Sequence, residues 1–250
     1  MGKVKRPHMV TKGYLAAWAD ERNVVEVFDI RSRDARLSSI NDATVVGKVY
    51  EPAVLTRDLE ADYARIEDAG VPALVKIRTG QTISREEQTA VIVFLDMHLH
   101  RGRYADRAGV RVPAVKVRLG GKVEDAELTL GDMLILTHQR EETLRLDKLG
   151  LEDWPWGVTT YPEPCLITGD GAVLLWAPEG ATVPVGIGFP LSPTQLLVIG
   201  EDLPDGVAAT PLIESRCRRW IIAARGTFRL RERRYTRTPS PSPAETSTPS

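Results

Sequence analysis

Residues 5–20 read Lys5-Arg-Pro-His-Met-Val-Thr-Lys-Gly-Tyr-Leu-Ala-Ala-Trp-Ala-Asp20, and residues 24–29 read Val24-Val-Glu-Val-Phe-Asp29. Pro7 prevents a helix from running through the residues before it, because its ring fixes φ and removes a backbone donor. Tyr14, Leu15 and Trp18 follow at helical spacing, and a polar turn separates them from the apolar run. The stretch therefore predicts a short helix and then a strand, with His8 just ahead of the helix.

Two interpretations of His8 remain open at this stage. A histidine close to a helix N-terminus can be partly buried and bonded to a backbone group, which is a structural role. It can also serve as a metal ligand or a general base, since its ordinary pKa is close to neutral.

Composition limits the class of protein. Hydrophobic residues make up 42% and charged residues 27% of the 250 residues, and the net charge is -1, so the chain has no global attraction to nucleic acid or to a membrane surface. Cys165 and Cys217 do not form a Cys-x-x-Cys motif or a disulfide framework, which favours a reducing cytoplasm. No apolar segment resembles a signal peptide or reaches the ~20 residues of a membrane span.

The middle of the chain predicts helices that carry polar residues at their inner borders. A helix from Asp58 places Glu67 beside an apolar stripe. Ser84-Arg-Glu-Glu87 is a capping box, and the apolar residues after it predict a central buried helix that ends with His98 and Arg101. His98 and His100 cannot share a helix face, so they do not form a helical zinc pair. A further helix is predicted over 125–146.

The second half predicts an antiparallel sheet. Short apolar runs between Pro and Gly breaks occupy residues 154–200, and we expect them to form one mostly antiparallel sheet with the N-terminal strand. A final helix is predicted over 210–225. The fold class is α+β, with a helical middle packed on that sheet in a single domain over residues 1–228. Residues 229–250 are Arg-rich and then rich in Pro, Ser and Thr, which predicts a disordered tail.

The N-terminal pattern resembles a bacterial domain-of-unknown-function family whose members begin with His-Tyr-Val-Pro, followed by Tyr-Leu and an aromatic-Ala pair. Here His8-Met9-Val10-Thr11, Tyr14-Leu15 and Trp18-Ala19 hold those places, so Met9 and Thr11 replace the Tyr and Pro. The family's Thr-Ser-Asp-Asn-Pro motif is matched by Thr168-Gly-Asp-Gly171. With the Pro190-Leu-Ser-Pro193 stretch, the resemblance covers most of residues 5–228. The family carries no established activity.

Five polar residues could meet at one place, because they lie at the inner edges of four predicted segments: His8, Glu67, His98, Arg101 and Asp170. His8, Glu67, His98 and Asp170 could bind a divalent metal, and Arg101 could hold a phosphate. Such a site, with His8, Glu67, Arg101 and Asp170 as catalytic residues, suggests a metal-dependent phosphodiester hydrolase resembling a nuclease. The same residues could instead form a structural network between helices and sheet. Dinucleotide-binding, Walker and Gly-x-Ser-x-Gly motifs are absent.

A different class of function rests on the basic C-terminal region. Residues 214–237 contain nine arginines against two glutamates, a formal charge of +7. The arginines expected to contact phosphates include Arg216, Arg218, Arg219, Arg229 and Arg231. The alternative hypothesis is therefore a non-enzymatic protein that binds nucleic acid through this segment.

Overall fold

A computed structural model of the protein describes residues 7–47, 54–55 and 57–228. The helices in these ranges are Lys12–Leu15 (α1), Leu59–Arg78 (α2), Arg85–Gly102 (α3), Leu130–His138 (α4) and Ala209–Arg216 (α5). The strands are Val24–Asp29 (β1), Asp34–Ser39 (β2), Val112–Val117 (β3), Val123–Leu128 (β4), Trp156–Thr160 (β5), Thr168–Gly169 (β6), Leu174–Trp176 (β7), Gly186–Ser192 (β8), Gln195–Gly200 (β9) and Trp220–Ala223 (β10). This mixture of helices and antiparallel sheets confirms the predicted α+β class.

The described strands form two four-stranded sheets and a hairpin, not one sheet. The first sheet has the order β2-β1-β10-β6, the second has the order β5-β9-β8-β7, and β3 pairs with β4. All the pairings are antiparallel. The expectation that β1 and residues 154–200 build one sheet was wrong for β5, β7, β8 and β9, which form the second sheet. Of the described strands in that region, β6 shares the sheet of β1, with β10 between them.

The sequence predicted one final helix over 210–225, but only the first half of this segment is helical and the second half contains a strand. Helix α5 ends at Arg216, and Trp220-Ile-Ile-Ala223 forms β10 with all four residues buried. A short apolar run fits a buried strand as well as a buried helix, so periodicity alone could not separate the two. The N–H groups of residues 218–220 bond to the Asp170 carboxylate, which leaves them unable to continue the helical ladder.

The predicted helix over 125–146 is also shorter. Residues 123–128 form β4 of an exposed hairpin, and α4 begins at Leu130 after a capping box of Thr129 and Asp132. The Asp132 side chain also accepts hydrogen bonds from the N–H groups of Val54 and Leu55, at 3.1 and 2.8 Å. The start of α4 is thus fixed by the local cap and by a distant segment together.

Helices α2 and α3 form the helical layer, as predicted. The Ser84–Glu87 capping box is present at the start of α3. The two helices approach closely where Gly70 meets Phe94: a Cβ on Gly70 would lie 2.6 Å from the Phe94 Cβ. Lys76 and Glu87 form an ion pair between the same helices. Helix α3 is therefore held along its length by α2, which fixes the polar residues near its C-terminus.

Tyr14 joins the short helix α1 to both large sheets. Its hydroxyl lies 2.6 Å from the Thr168 Oγ1 in β6 and donates to the Pro190 carbonyl in β8, also at 2.6 Å. Leu15 and Trp18 are buried beside it. The Tyr-Leu and aromatic-Ala features of the N-terminal stretch therefore have a structural role in the core.

No described helix is both long enough and apolar enough to cross a membrane. Both cysteines are free. The predicted disordered tail, residues 229–250, and with it Arg229 and Arg231, lies outside the described residues, and the single-domain assignment remains a prediction.

Candidate functional site

The C-terminal half of α3 carries four buried polar side chains on different faces. They are Asp96, His98, His100 and Arg101, each at most 3% exposed. Asp96 and His100 are four residues apart and share one face, whereas His98 and Arg101 point elsewhere. Burial of this many polar groups requires partners for each.

The structure brings two of the five predicted residues, Arg101 and Glu67, into direct contact. The Arg101 Nη1 donates to the Glu67 Oε1 at 2.7 Å, and the Thr11 hydroxyl donates to the same carboxylate oxygen at 2.8 Å. The Arg101 guanidinium also lies over the Tyr63 ring, 5.0 Å from its centroid. These contacts tie the N-terminal segment and α2 to the end of α3.

Glu67 is the solvent-accessible partner of this ion pair. Its side chain is 29% exposed, against 3% for Arg101. Glu60, about two turns earlier on α2, is half-buried, and burial raises its pKa. The charge of Arg101 opposes this shift, and the charge of Glu67 acts in the same direction as burial. Two carboxylates thus lie near one buried guanidinium.

The His98 side chain contacts the backbone of the loop that holds Asp170. The His98 Nε2–H donates to the carbonyl of Gly169 at 2.9 Å, and the ring packs against Tyr14 and Phe189. Burial lowers the pKa of His98 to about 4, with a smaller contribution from the charge of Arg101. The imidazole is therefore neutral at pH 7 and holds α3 against β6.

Asp170 follows Gly169 in the chain, and its carboxylate bonds to a different segment. It accepts hydrogen bonds from the backbone N–H groups of Arg218, Arg219 and Trp220, at 3.1, 2.9 and 3.3 Å. Burial raises the pKa of Asp170 to about 7, and these N–H bonds pull in the opposite direction. The described bonds of this carboxylate thus close the loop between α5 and β10.

His8 lies in an extended segment that precedes α1. Its backbone forms an isolated antiparallel bridge with Val45, and the next residue, Met9, donates its N–H to the carbonyl of Thr44 at 3.0 Å. Thr11, three residues on, reaches Glu67. Of the five predicted residues, the structure joins Glu67 with Arg101 directly; a catalytic or metal-binding role for any of the five remains a prediction.

A different set of side chains has the composition of a metal centre. Asp96, His100 and His138 each offer one ligand atom, and these atoms lie within 4.8 Å of one another. The two histidine rings are 4.9 Å apart at an angle of 78°. Asp96 and His100 come from one face of α3, and His138 from the last turn of α4. Among the described residues, this is the group of three or more such side chains that is close enough to share an ion.

Two ring nitrogens in this cluster are buried without a hydrogen-bond partner in the described part of the chain. They are the His100 Nδ1 and the His138 Nε2. The other His100 nitrogen, Nε2, donates to the Leu144 carbonyl at 3.1 Å and lies 3.4 Å from the Asp96 Oδ1. Buried polar atoms normally have partners, so two such nitrogens in one cluster indicate a place for a bound ion or water.

The charges around the cluster keep its ligands in the forms that bind metal. Burial lowers the pKa of His138 to about 4, and the nearby charge of Arg145 acts in the same direction. Burial by itself raises the pKa of Asp96, but its contacts with His100, Leu146 and Arg145 outweigh burial and hold that pKa below its ordinary range. At pH 7 the cluster therefore offers a carboxylate and a neutral imidazole, as metal ligation requires.

Asp96 is also the anchor of the loop after α4. Its Oδ2 accepts from the Arg145 Nε at 2.7 Å, and its Oδ1 accepts from the Leu146 N–H at 2.8 Å. The Asp96-x-x-x-His100 spacing places both side chains on one helix face and could have indicated this pair from the sequence. The prediction from sequence considered only the pair His98 and His100, which do not share a face. No local signal connects His138 or Arg145 to it, because both come from later segments.

The described arginines of the nucleic-acid hypothesis differ in their exposure. Arg216 and Arg218 are exposed. Arg219 lies over the Trp220 ring, 4.2 Å from its centroid, with its Nε 3.6 Å from the Asp29 carboxylate. Two of the three described arginines thus remain accessible to an anionic partner.

Comparison with known protein families identifies the family of this chain. The family described as protein of unknown function (DUF4238) matches residues 6–139, more than half of the 250 residues. The chain belongs to this family, as the N-terminal pattern predicted. The matched region runs from the segment that holds His8 through α4 and so includes Asp96, His100 and His138; Thr168-Gly-Asp-Gly171 lies beyond it.

A curated relative is a 2,3-bisphosphoglycerate-independent phosphoglycerate mutase of Haloarcula marismortui. It is 31% identical over 172 residues, which cover 66% of this chain and 30% of the relative. The chain therefore spans less than a third of that enzyme's length. No solved structure matches the chain significantly.

Proposed function

We propose that this protein is a metal-dependent hydrolase of phosphate esters, with a divalent cation bound by Asp96, His100 and His138. The observation that carries the proposal is the convergence of three ligand atoms within 4.8 Å in a buried place. One carboxylate and two imidazoles suit first-row transition-metal cations such as Zn²⁺, Fe²⁺ or Mn²⁺ better than Mg²⁺.

The number and burial of the ligands favour a catalytic centre over a structural one. Structural zinc sites are closed by four protein ligands, whereas catalytic sites use three and leave a position open for water or substrate. Three side chains converge here, and His138 is the least buried of them. A cation held by these three residues would polarise a phosphoryl oxygen and lower the pKa of a bound water.

Two observations support a phosphorylated substrate. Arg145 places a guanidinium at the edge of the cluster, and guanidinium groups match phosphate oxygens in charge and shape. The relative from Haloarcula marismortui is by name an enzyme that acts on a phosphorylated compound. In hydrolysis, the oxygen of water bonds to phosphorus, the bond from phosphorus to the ester oxygen breaks, and the released oxygen takes a proton from that water.

The test begins with metal binding by the purified full-length protein. After EDTA dialysis, titration calorimetry with Zn²⁺ and Mn²⁺ should give one site, and His138→Gln and Asp96→Asn should weaken it at least tenfold. His98→Gln is the control, since His98 is a buried histidine on the same helix as Asp96 but outside the cluster. Hydrolysis of bis(4-nitrophenyl) phosphate should depend on the metal and disappear in His138→Gln. Binding of no metal by the wild type would refute the proposal.

Nucleic-acid binding is the second candidate function, and the exposure of Arg216 and Arg218 favours it. These side chains lie at the end of α5, a few residues before the Arg-rich C-terminal sequence. Arginines so arranged would contact phosphates without reading bases. Fluorescence anisotropy with a labelled oligonucleotide tests this candidate independently of metal.

A further inference from the structure

The side chain that flanks the candidate metal centre is itself ion-paired. Arg145 is 19% exposed and forms two ion pairs, with its Nε 2.7 Å from the Asp96 Oδ2 and its Nη2 2.8 Å from the Asp147 Oδ2. Asp96 is thus a ligand candidate whose charge is already matched by a cation of the protein.

A divalent cation and the guanidinium would compete for Asp96. Two positive charges near the same buried carboxylate repel each other strongly, since the interaction is screened much less there than in water. The carboxylate has lone pairs for the Leu146 N–H and for a metal at once, so metal binding does not require the backbone bond to break. The Arg145 contact is the one that a metal would displace.

Asp147 gives Arg145 a second attachment. If Arg145 leaves Asp96, its Nη2 can stay on the exposed side of the loop with Asp147, whose side chain is 31% exposed. The N–H groups that had faced Asp96 would then lie beside the metal with no carboxylate to receive them. An anion that contacts both the metal and the guanidinium satisfies those donors.

We propose that Arg145 is the phosphate-binding residue of this centre, released from Asp96 when a divalent cation binds there. This inference rests on the proposed function and extends it with a substrate-binding residue and an order of binding, metal first and phosphate second. The ligand class is a phosphoryl group with at least one free oxygen, which a guanidinium can hold from the side.

The test uses full-length protein with inorganic phosphate as the probe, with and without Mn²⁺, by titration calorimetry. Wild type should bind phosphate at least tenfold more tightly with Mn²⁺ than without it. Arg145→Gln should lose at least tenfold in phosphate affinity while its Mn²⁺ affinity stays equal or increases, because a competitor for Asp96 is gone. Arg140→Gln, an exposed arginine shortly before it in the chain, should change neither affinity.

Arg145→Lys is a second variant for the case that Arg145→Gln fails to fold. It keeps the charge beside Asp96 but not the planar fork of the guanidinium. We expect it to bind phosphate more weakly than wild type. Three outcomes overturn the inference: metal-independent phosphate binding, unchanged phosphate affinity in Arg145→Gln, or no phosphate binding by Mn²⁺-loaded wild type. The last outcome leaves the metal site itself intact. Absence of Mn²⁺ and Zn²⁺ binding in wild type is instead the failure of the proposed function.

Discussion

The Glu67 carboxylate and the Arg101 guanidinium form a hydrogen-bonded ion pair of 2.7 Å between α2 and α3, with the arginine side almost fully buried. Removing a charge from water costs several kcal/mol, so such a pair persists only with good geometry and additional contacts. Thr11 and the Tyr63 ring provide them. The pair therefore fixes the N-terminal segment against the helical layer.

We expect Arg101→Ala to lower the free energy of unfolding by about 3 kcal/mol, since it removes the ion pair, the ring contact and buried volume together. Arg65→Ala is the control: Arg65 pairs with Asp62 on α2 but is 77% exposed, so its loss should cost less than about 1 kcal/mol. Urea denaturation followed by circular dichroism measures both. Equal effects would show that the buried pair contributes no more than a surface one.

Gly102 should not tolerate a side chain. A Cβ at this position would lie 1.7 Å from the carbonyl oxygen of Asp170, a backbone atom that cannot move independently. We expect Gly102→Ala to destabilise the protein by about 2 kcal/mol or more, and to disturb the His98–Gly169 contact. Gly109→Ala, where a Cβ meets open space, should change stability by less than about 1 kcal/mol. Thermal unfolding of the two variants distinguishes a close approach from a general effect of alanine.

Acid should destabilise the protein through its neutral histidines. Burial lowers the pKa of His98 to about 4 in the folded state, against about 6.5 in the unfolded chain. Between these values the unfolded state binds more protons, so stability falls as the pH drops from about 6.5 to 4, by up to roughly 3 kcal/mol for His98. In EDTA, urea denaturation of His98→Gln across this window should show a shallower slope than wild type. A slope identical to wild type would mean that another group carries the dependence.

The basic end of α5 gives a prediction about salt. If Arg216 and Arg218 contact phosphates of duplex DNA, replacing both with Gln should reduce the slope of log affinity against log salt by about 2. The loss should be similar for all sequences, because phosphate contacts carry no base information. Arg65→Gln on α2 serves as the control and should leave the slope unchanged. A binding constant insensitive to salt in the wild type would argue against a nucleic-acid function.

Local patterns in the sequence determined the elements whose signals lie within a few residues. The Ser84–Glu87 capping box and the apolar run after it specified α3 because caps and helical periodicity act over one or two turns. The N-terminal pattern around Tyr14 identified the family for the same reason. Local patterns gave the wrong prediction for the segment from Trp220 to Ala223, which is a strand and not a helix. A four-residue apolar run becomes strand or helix according to what covers it.

Only the tertiary structure decided which polar residues meet. Asp170 and Glu67 both border the core, yet the described bonds of one carboxylate go to the N–H groups of residues 218–220, while the other lies against Arg101. His138 lies on a separate helix, α4, and its ligand atom comes within 4.8 Å of those of Asp96 and His100. The sequence could supply the residue types and the face of α3 on which each lies, because helical geometry is local. It could not supply their partners, because the packing of α4 and its following loop on α3 depends on contacts between segments some forty residues apart.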